Sequence, residues 1–307
     1  MAQVKAKPQL HQSQLSMLYR CGEQFRRVVL EGHREPPAVC QVIGRAAHDT
    51  TARNLQLKSA DGHATYSIDA IKDLASESFD REWNNIPVVL SEKEKELGLS
   101  KIKGMSKDRT LEMCVAHAED IAPNIKPMQG GIEWKWVIEC NGYPFDLSGQ
   151  IDVKEVNGDI RDNKFRSRQI TQNEVDTSEQ LTVYAMATLI IDGKQPKKVW
   201  LDCVKLEQPG KKLTVRSLSG ERSDADFTVF RNRFEQAVEV IEKGAFTPAG
   251  PSDWWCSERF CGFAADGSCP YFNKGRKTFP PPTRRSTSNV TKRVIPKGTQ
   301  EWSDATR

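Results

Sequence analysis

Three stretches in the middle of the chain alternate apolar and polar residues with the period of a strand. In the first, Ile132, Trp134, Trp136 and Ile138 alternate with Glu133, Lys135 and Glu139, which predicts a half-buried strand ending at Asn141-Gly142. In the second, Phe145, Leu147, Gly149, Ile151 and Val153 fall on one face, and Asp146, Ser148, Gln150 and Asp152 on the other. Asn157-Gly158 marks a hairpin into a third strand that carries Asp162 and Lys164 two positions apart. A three-strand meander from Ile132 to Arg166 follows.

Around the meander the apolar period becomes helical. Ser13 reads as an N-cap, followed by a stripe of Leu15, Leu18, Tyr19 and Phe25 that carries Cys21 inward. After Pro36-Pro37 a second helix is expected from about Cys40 to Leu57, with Gly44 and His48 one turn apart. Helices around Ile68 to Trp83 and Arg109 to Ile121, joined by a charged connection, are expected to form an inserted cap over one side of the sheet. A helix capped by Asp176 or Ser178 runs to Ile191 and puts Gln180 and Tyr184 on one face. Val199 to Leu206 and Leu213 to Ser217 read as strands, and an amphipathic helix runs from Ser223 to about Glu242. The order predicts an α/β fold, a mixed central sheet flanked by helices.

Residues 1–12 carry no periodicity and are expected to be flexible. One domain is expected over 13–272, with a helical region at about 38–125, a core at about 130–245 and a cysteine segment at 246–272. The stretch 273–307, rich in Pro, Ser, Thr, Lys and Arg, is expected to be a disordered basic tail. A solvated tail is the default reading there, and contact with nucleic acid the other.

Composition narrows the class. A chain of 307 residues with 37% hydrophobic and 28% charged residues is an ordinary soluble one, and a net charge of +4 is too small to announce a nucleic-acid binder. The longest apolar run, near Val183 to Ile191, is too short to span a membrane, and no signal segment opens the chain, so a cytoplasmic protein is expected. Eight cysteines in such a chain argue against a disulfide framework. Cys40, Cys114, Cys140 and Cys203 stand alone and are expected to pack. Cys256, Cys261 and Cys269, spaced C-x4-C-x7-C in an irregular stretch, call for a metal or cluster with a fourth ligand from elsewhere; spacing leaves zinc and iron-sulfur open.

The candidate chemistry lies in the hairpin. A two-residue turn would set Asp152 opposite Asn163, whereas a three-residue loop Val156-Asn157-Gly158 with Gly158 left-handed sets Asp152 opposite Asp162. The second register is predicted. Two carboxylates a strand apart repel unless a cation lies between them, and an oxygen-rich pair suits Mg²⁺ or Mn²⁺. Lys164 could then serve an attacking water and stabilise charge on a phosphate. Taken alone the motif is weak, because most Asp-x-Lys triplets are simply solvated charges on a surface hairpin. Gln180 and Tyr184 could hold a phosphate or steer Lys164, and a partly buried hydrogen-bonded pair fits them as well; His11, His33, His63 and His117 read as ordinary packed or surface residues.

Taken in order, these motifs resemble the RecB/AddB-type branch of the PD-(D/E)XK nuclease superfamily, including stand-alone exonucleases from phage and CRISPR systems. Ser13, Tyr19, Cys21 and Phe25 match its early helix, Gly44 and His48 its Gly-x-x-x-His helix, and Gly149, Ile151 and Asp152 its Gly-x-Ile-Asp. Asp162 and Lys164 match Asp-x-Lys, Gln180 and Tyr184 match Gln-x-x-x-Tyr, and Cys256, Cys261 and Cys269 match a three-cysteine C-terminus.

The resemblance implies a restriction-endonuclease-like core and a metal-dependent DNA exonuclease acting in recombination, repair or replication. It implies that His48, Asp152, Asp162 and the carbonyl of Asn163 bind Mg²⁺ or Mn²⁺, that Lys164 serves the water, and that Gln180 and Tyr184 sit beside the phosphate. It further implies that Cys21 joins Cys256, Cys261 and Cys269 around a [4Fe-4S] cluster, with structural Zn²⁺ as the alternative. Gly22 and Asn163 depart from the family, which usually has a proline after the first cysteine and a bulky residue between Asp and Lys. The expected partner is DNA, with a recombination or replication protein as a further one and no membrane. Two other functions fit the same residues: a non-cutting DNA-binding accessory, and an endonuclease acting on flaps or single strands.

Overall fold

The computed structural model describes residues 7–272 apart from 34–35, 62–64, 86, 208–210, 212, 251 and 259. The expected basic tail, 273–307, lies outside the described residues. In chain order the elements are β1 (Gln9–His11), α1 (Gln12–Arg20), α2 (Gly22–Phe25), a π turn (Arg26–Leu30), α3 (Val39–Asp61), α4 (Ile68–Asn85), α5 (Glu92–Leu97) and α6 (Leu99–Asp120). Then come β2 (Pro127–Ile138), β3 (Asp146–Glu155), β4 (Ile160–Arg166), α7 (Gln172–Asp176), α8 (Glu179–Asp192), β5 (Val199–Lys205), β6 (Thr214–Gly220), α9 (Asp224–Lys243) and α10 (Gly262–Ala265).

Local chemistry explains most boundaries. Ser178 caps α8 by accepting from the Leu181 N–H, and Gly193 ends it in the left-handed conformation. The N–H of Ser223 donates to Asp226 at 2.7 Å, which opens α9. At the first helix the sequence pattern misleads. Ser13 lies inside α1, where the Gln14 side chain instead accepts from the His11 N–H at 2.8 Å. The chain breaks at Cys21, whose φ of −160° is extended, so that residue sits at a junction and not on the inner face of a helix. The charged connection before Arg109 is itself helical, because the Ser91 N–H donates to Glu94 at 2.7 Å to start α5, and α6 begins at Leu99. The aperiodic N-terminal stretch contributes β1, a short strand whose periodicity is too brief to read.

The sheet is mixed and ordered β1-β3-β4-β5-β6, with β2 also pairing β3. β1 runs parallel to β3 and β4 parallel to β5; the other pairs are antiparallel. Leu147 and Ser148 pair with both β1 and β2, while Val153 pairs with both β2 and β4 and Lys154 with β4. β1 and β4 therefore share one edge of β3, and Gly149 to Asp152 has no strand partner on that edge. The hairpin has the predicted three-residue loop: the Gly158 N–H donates to Glu155 O, Gly158 has φ 88°, and Val153 faces Arg161. One step further the register sets Asp152 against Asp162, where the ladder stops and the strands part.

Helices cover both faces. Leu147, Ile151, Ile160, Leu201 and Cys203 share a core with α1, α8 and α9, and Val153, Phe165 and Val204 share another with α3, α4 and α6. Each fully buried Leu or Ile in these layers contributes about 1.5–3 kcal/mol. The strand alternation predicts Ile151 and Val153 on one face, yet they join opposite cores, as do Ile132 and Trp134 across from them. The cause is a local reversal at the facing pair Glu133 and Asp152. Glu133 has φ 53°, the one non-glycine positive φ among the described residues. Gly149 is required for contact: the Trp136 indole crosses it so closely that a Cβ would lie 2.4 Å from the ring. Behind the hairpin, buried Arg161 joins β3 to β5 through Glu155 and Asp202, each at 2.9 Å.

Candidate active site

The point where β3 and β4 part is where the polar side chains gather. Asp152 Oδ2 accepts the Asn163 N–H at 2.7 Å and lies 3.4 Å from His48 Nδ1, which α3 brings over the strand. Asp162 Oδ2 lies 2.5 Å from Lys164 Nζ. Lys164 also donates to Gln180 Oε1 at 2.9 Å, and Gln180 Nε2 donates to the Tyr184 hydroxyl at 2.8 Å. Gln180, half-buried, and Tyr184, buried one turn on along α8, thus form a relay that ends on the lysine. Asp162 is 2% exposed while about a third of the His48 side chain, 35%, reaches solvent, so the cluster opens on the histidine side.

The charges are mutually tuned. Burial alone would push the Asp152 carboxyl up, but His48, the Asn163 N–H and Lys164 outweigh it and hold the group below the usual range. Burial would likewise pull His48 and Lys164 down, and the carboxylates beside them raise both instead. At Asp162 burial wins: its carboxyl is pushed up to about 6, with Lys164 opposing and the charge of Asp152 adding. Asp162 Oδ2 has no directed hydrogen bond, so the short approach of Lys164 is an ionic contact.

Two carboxylates with an imidazole beside them are a donor set that suits a hard divalent cation. The residues fit Mg²⁺ or Mn²⁺ by chemistry. Among the described residues, however, no group of three or more His, Cys, Asp or Glu side chains is already gathered as a metal cage.

Two residues that the sequence pattern passed over belong here. Glu133 faces Asp152 across the β2–β3 ladder, and its carboxyl is pushed up to about 7, first by burial and then by the charge of Asp152. Its signal in the sequence was only that of an outward strand residue. His117, expected to be an ordinary histidine, is buried on α6, with Nε2 3.1 Å from Asn163 Oδ1. Burial holds its imidazole down at about 4. No spacing rule joins residues 117 and 163, which only the packing of α6 on the sheet brings together.

The cysteines gather less completely. Cys21 Sγ accepts from the N–H groups of Gln24 and Ala249, each at 3.4 Å, so it meets the C-terminal segment. The Cys256 thiol is raised by burial and then by the neighbouring charges of Cys21 and Cys269. Gly22, the departure from the family's proline, donates its N–H to Thr247 O at 2.8 Å, and a Cβ there would lie 2.8 Å from the Thr247 nitrogen. A proline could do neither. Among the described residues no cysteine forms a disulfide; Cys114 and Cys203 are buried as expected, Cys140 is half-buried, and Cys40 is exposed, contrary to a packing role.

A family model described as the PD-(D/E)XK nuclease superfamily matches residues 9–271. No curated protein matches the chain. Among solved structures, the chain is similar to the crystal structure of SSO0001 at 14% identity, covering 89% of this chain and 90% of that one, with a TM-score of 0.37. It is also similar to a Eubacterium rectale protein assigned as an exonuclease, at 12% identity over 73% of this chain and 88% of that one, with a TM-score of 0.39. Among the described residues no helix is long and apolar enough to cross a membrane.

Proposed function

The chain belongs to the PD-(D/E)XK nuclease superfamily, and from that premise we propose that it is a metal-dependent DNA exonuclease of the RecB/AddB type, acting on single strands or DNA ends. The observation that carries the reading is the meeting of Asp152 and Asp162 where β3 and β4 part, with Lys164 on one carboxylate and His48 on the other.

His48, Asp152, Asp162 and the carbonyl of Asn163 would hold the cation. When bound, Mg²⁺ or Mn²⁺ supplies Lewis-acid stabilisation of the phosphate and makes water easier to deprotonate. The chain's own residues do the rest. Gln180 holds the Lys164 ammonium by one hydrogen bond, so the ammonium is aimed beside the carboxylates, where it can meet charge growing on a phosphate oxygen. Tyr184 fixes the Gln180 amide in turn, which sets which end of that amide faces the lysine. Buried Arg161, tied to β3 and β5, keeps the hairpin rigid under this load.

Cys21, Cys256, Cys261 and Cys269 would hold a [4Fe-4S] cluster, or zinc, as a structural tie between the chain's two ends. Supporting this are the two N–H groups directed at Cys21 Sγ and the nearness of Cys21 and Cys269 to Cys256, whose thiol their charges help to raise.

The test is cleavage of end-labelled linear and circular single-stranded DNA with Mg²⁺ or Mn²⁺, alongside Lys164→Ala. Loss of only the linear DNA, abolished in the variant, is expected. Cutting of the circle would make the protein an endonuclease instead, and binding without cutting by folded wild-type protein would make it a non-cutting accessory.

A further inference from the structure

Asn163 is held from two sides. Its backbone N–H donates to Asp152 Oδ2 at 2.7 Å, and its side-chain oxygen faces His117 Nε2 at 3.1 Å. Both residues are deeply buried. An amide oxygen only accepts, so His117 Nε2 carries the hydrogen and donates. Nδ1 is then a bare acceptor, and among the described residues no partner meets it. Keeping an unmet acceptor in the core is costly, whereas an apolar side chain at this place on α6 would pack without that penalty. The Phe165 ring lies 5.9 Å from the His117 ring and 5.2 Å from that of His48, which packs both imidazoles against one side chain. The residue that departs from the family's bulky pattern between Asp and Lys is thus the one that His117 grips.

We infer that His117 is a positioning residue of the nuclease centre, acting through Asn163. It pins the strand segment Asp162-Asn163-Lys164 so that the Asn163 N–H holds Asp152 and the Asn163 carbonyl keeps a fixed direction. The inference rests on the nuclease reading above and deepens it: α6, in the helical layer, is part of the catalytic support. Outer partners of this kind typically change metal affinity or activity by about 10–100-fold when removed.

The full chain is compared with His117→Leu, His117→Gln, Asn163→Ala and the double variant H117L/N163A. Mn²⁺ binding is read without DNA by electron paramagnetic resonance, kcat and KM on linear single-stranded DNA, and melting temperature on the same samples. Expected for His117→Leu and Asn163→Ala are Mn²⁺ binding weakened about 10–100-fold and kcat lowered with KM within about two-fold. His117→Gln keeps an N–H donor and should recover most of the loss, and the double variant should be no worse than the weaker single one.

A His117→Leu protein that melts lower yet binds Mn²⁺ and turns over as wild type overturns the inference, as do additive effects in the double variant. If His117→Leu does not fold, Asn163→Ala decides, because it leaves the backbone N–H and carbonyl in place; unchanged Mn²⁺ binding there overturns the inference. Should no protein cut DNA while Mn²⁺ binding follows the expected pattern, the nuclease reading fails and the positioning role stands. Wild-type protein that binds no Mn²⁺ overturns the role.

Discussion

The centre at β3 and β4 and the cysteine-bearing end both place polar groups at close quarters, but they are built from different materials. At the centre, strand register, α3 and α8 hold every participant, so Asp162 stays in place with a carboxyl pushed up to about 6 and an oxygen without a directed hydrogen bond. At the other end the chain is irregular. There Gly22 N–H to Thr247 O, Ala249 N–H to Cys21 Sγ and the Trp255 indole N–H to Arg20 O span the two termini of the described chain. A scaffold of ladders and packed helices can hold buried charges close together. A few backbone contacts cannot, and a bound metal or cluster is the tie such a segment would use.

The largest expected effect separates the two regions through Asp162→Asn. Cleavage should fall to background while the cysteine end is untouched. A carboxyl raised from the usual value to about 6 costs the folded state increasingly as pH rises through that interval, and the cost is fully present above pH 6. The melting temperature of the metal-free variant should therefore rise relative to that of wild type between pH 4 and pH 7, as read by calorimetry. Wild type alone should regain the difference with Mn²⁺.

Gly22→Pro acts on the other region. It removes a hydrogen bond and drives a ring into the Thr247 backbone, a loss of about 2–4 kcal/mol local to that end. Limited proteolysis after Phe246 should quicken while Mn²⁺ binding is unchanged; joint loss of both would show that the regions form one cooperative unit.

The smallest effect is a pH dependence of the centre's support. His117 is held neutral at about 4, below its unfolded value near 6.5, so its contribution is complete above pH 6.5 and is lost as pH falls toward 4. Between pH 7 and 5 this amounts to roughly 1–2 kcal/mol. Urea unfolding of the metal-free protein should show the decline, and His117→Gln should flatten it.

Much of this was legible in the chain. The Asn157-Gly158 loop is predicted with its register, because once the three-residue closure with Gly158 left-handed is chosen over the two-residue turn, the period of two assigns each strand neighbour. The helices around Gly44 and His48 and around Gln180 and Tyr184 follow from periodicity and caps. Other features were hidden for reasons that can be named. β1 is three residues long, too short for a period, and the start of α6 is too charged to show one. The switch of Val153 away from Ile151 needs the backbone reversal at Glu133, and a positive φ at a glutamate has no sequence mark.

The sequence by itself determined the order of the longer core elements, the predicted facing of Asp152 and Asp162, and the set of residue types suited to phosphodiester chemistry, since these depend on near neighbours and fixed periods. Only the tertiary structure decided that β1 and β4 share an edge of β3 and leave it open beside Asp152, that Lys164 is aimed by Gln180, and that His117 grips Asn163. Those relations join residues tens of positions apart, and they are set by how helices and strands bury their apolar faces against one another, a sum over the whole core that no local pattern contains.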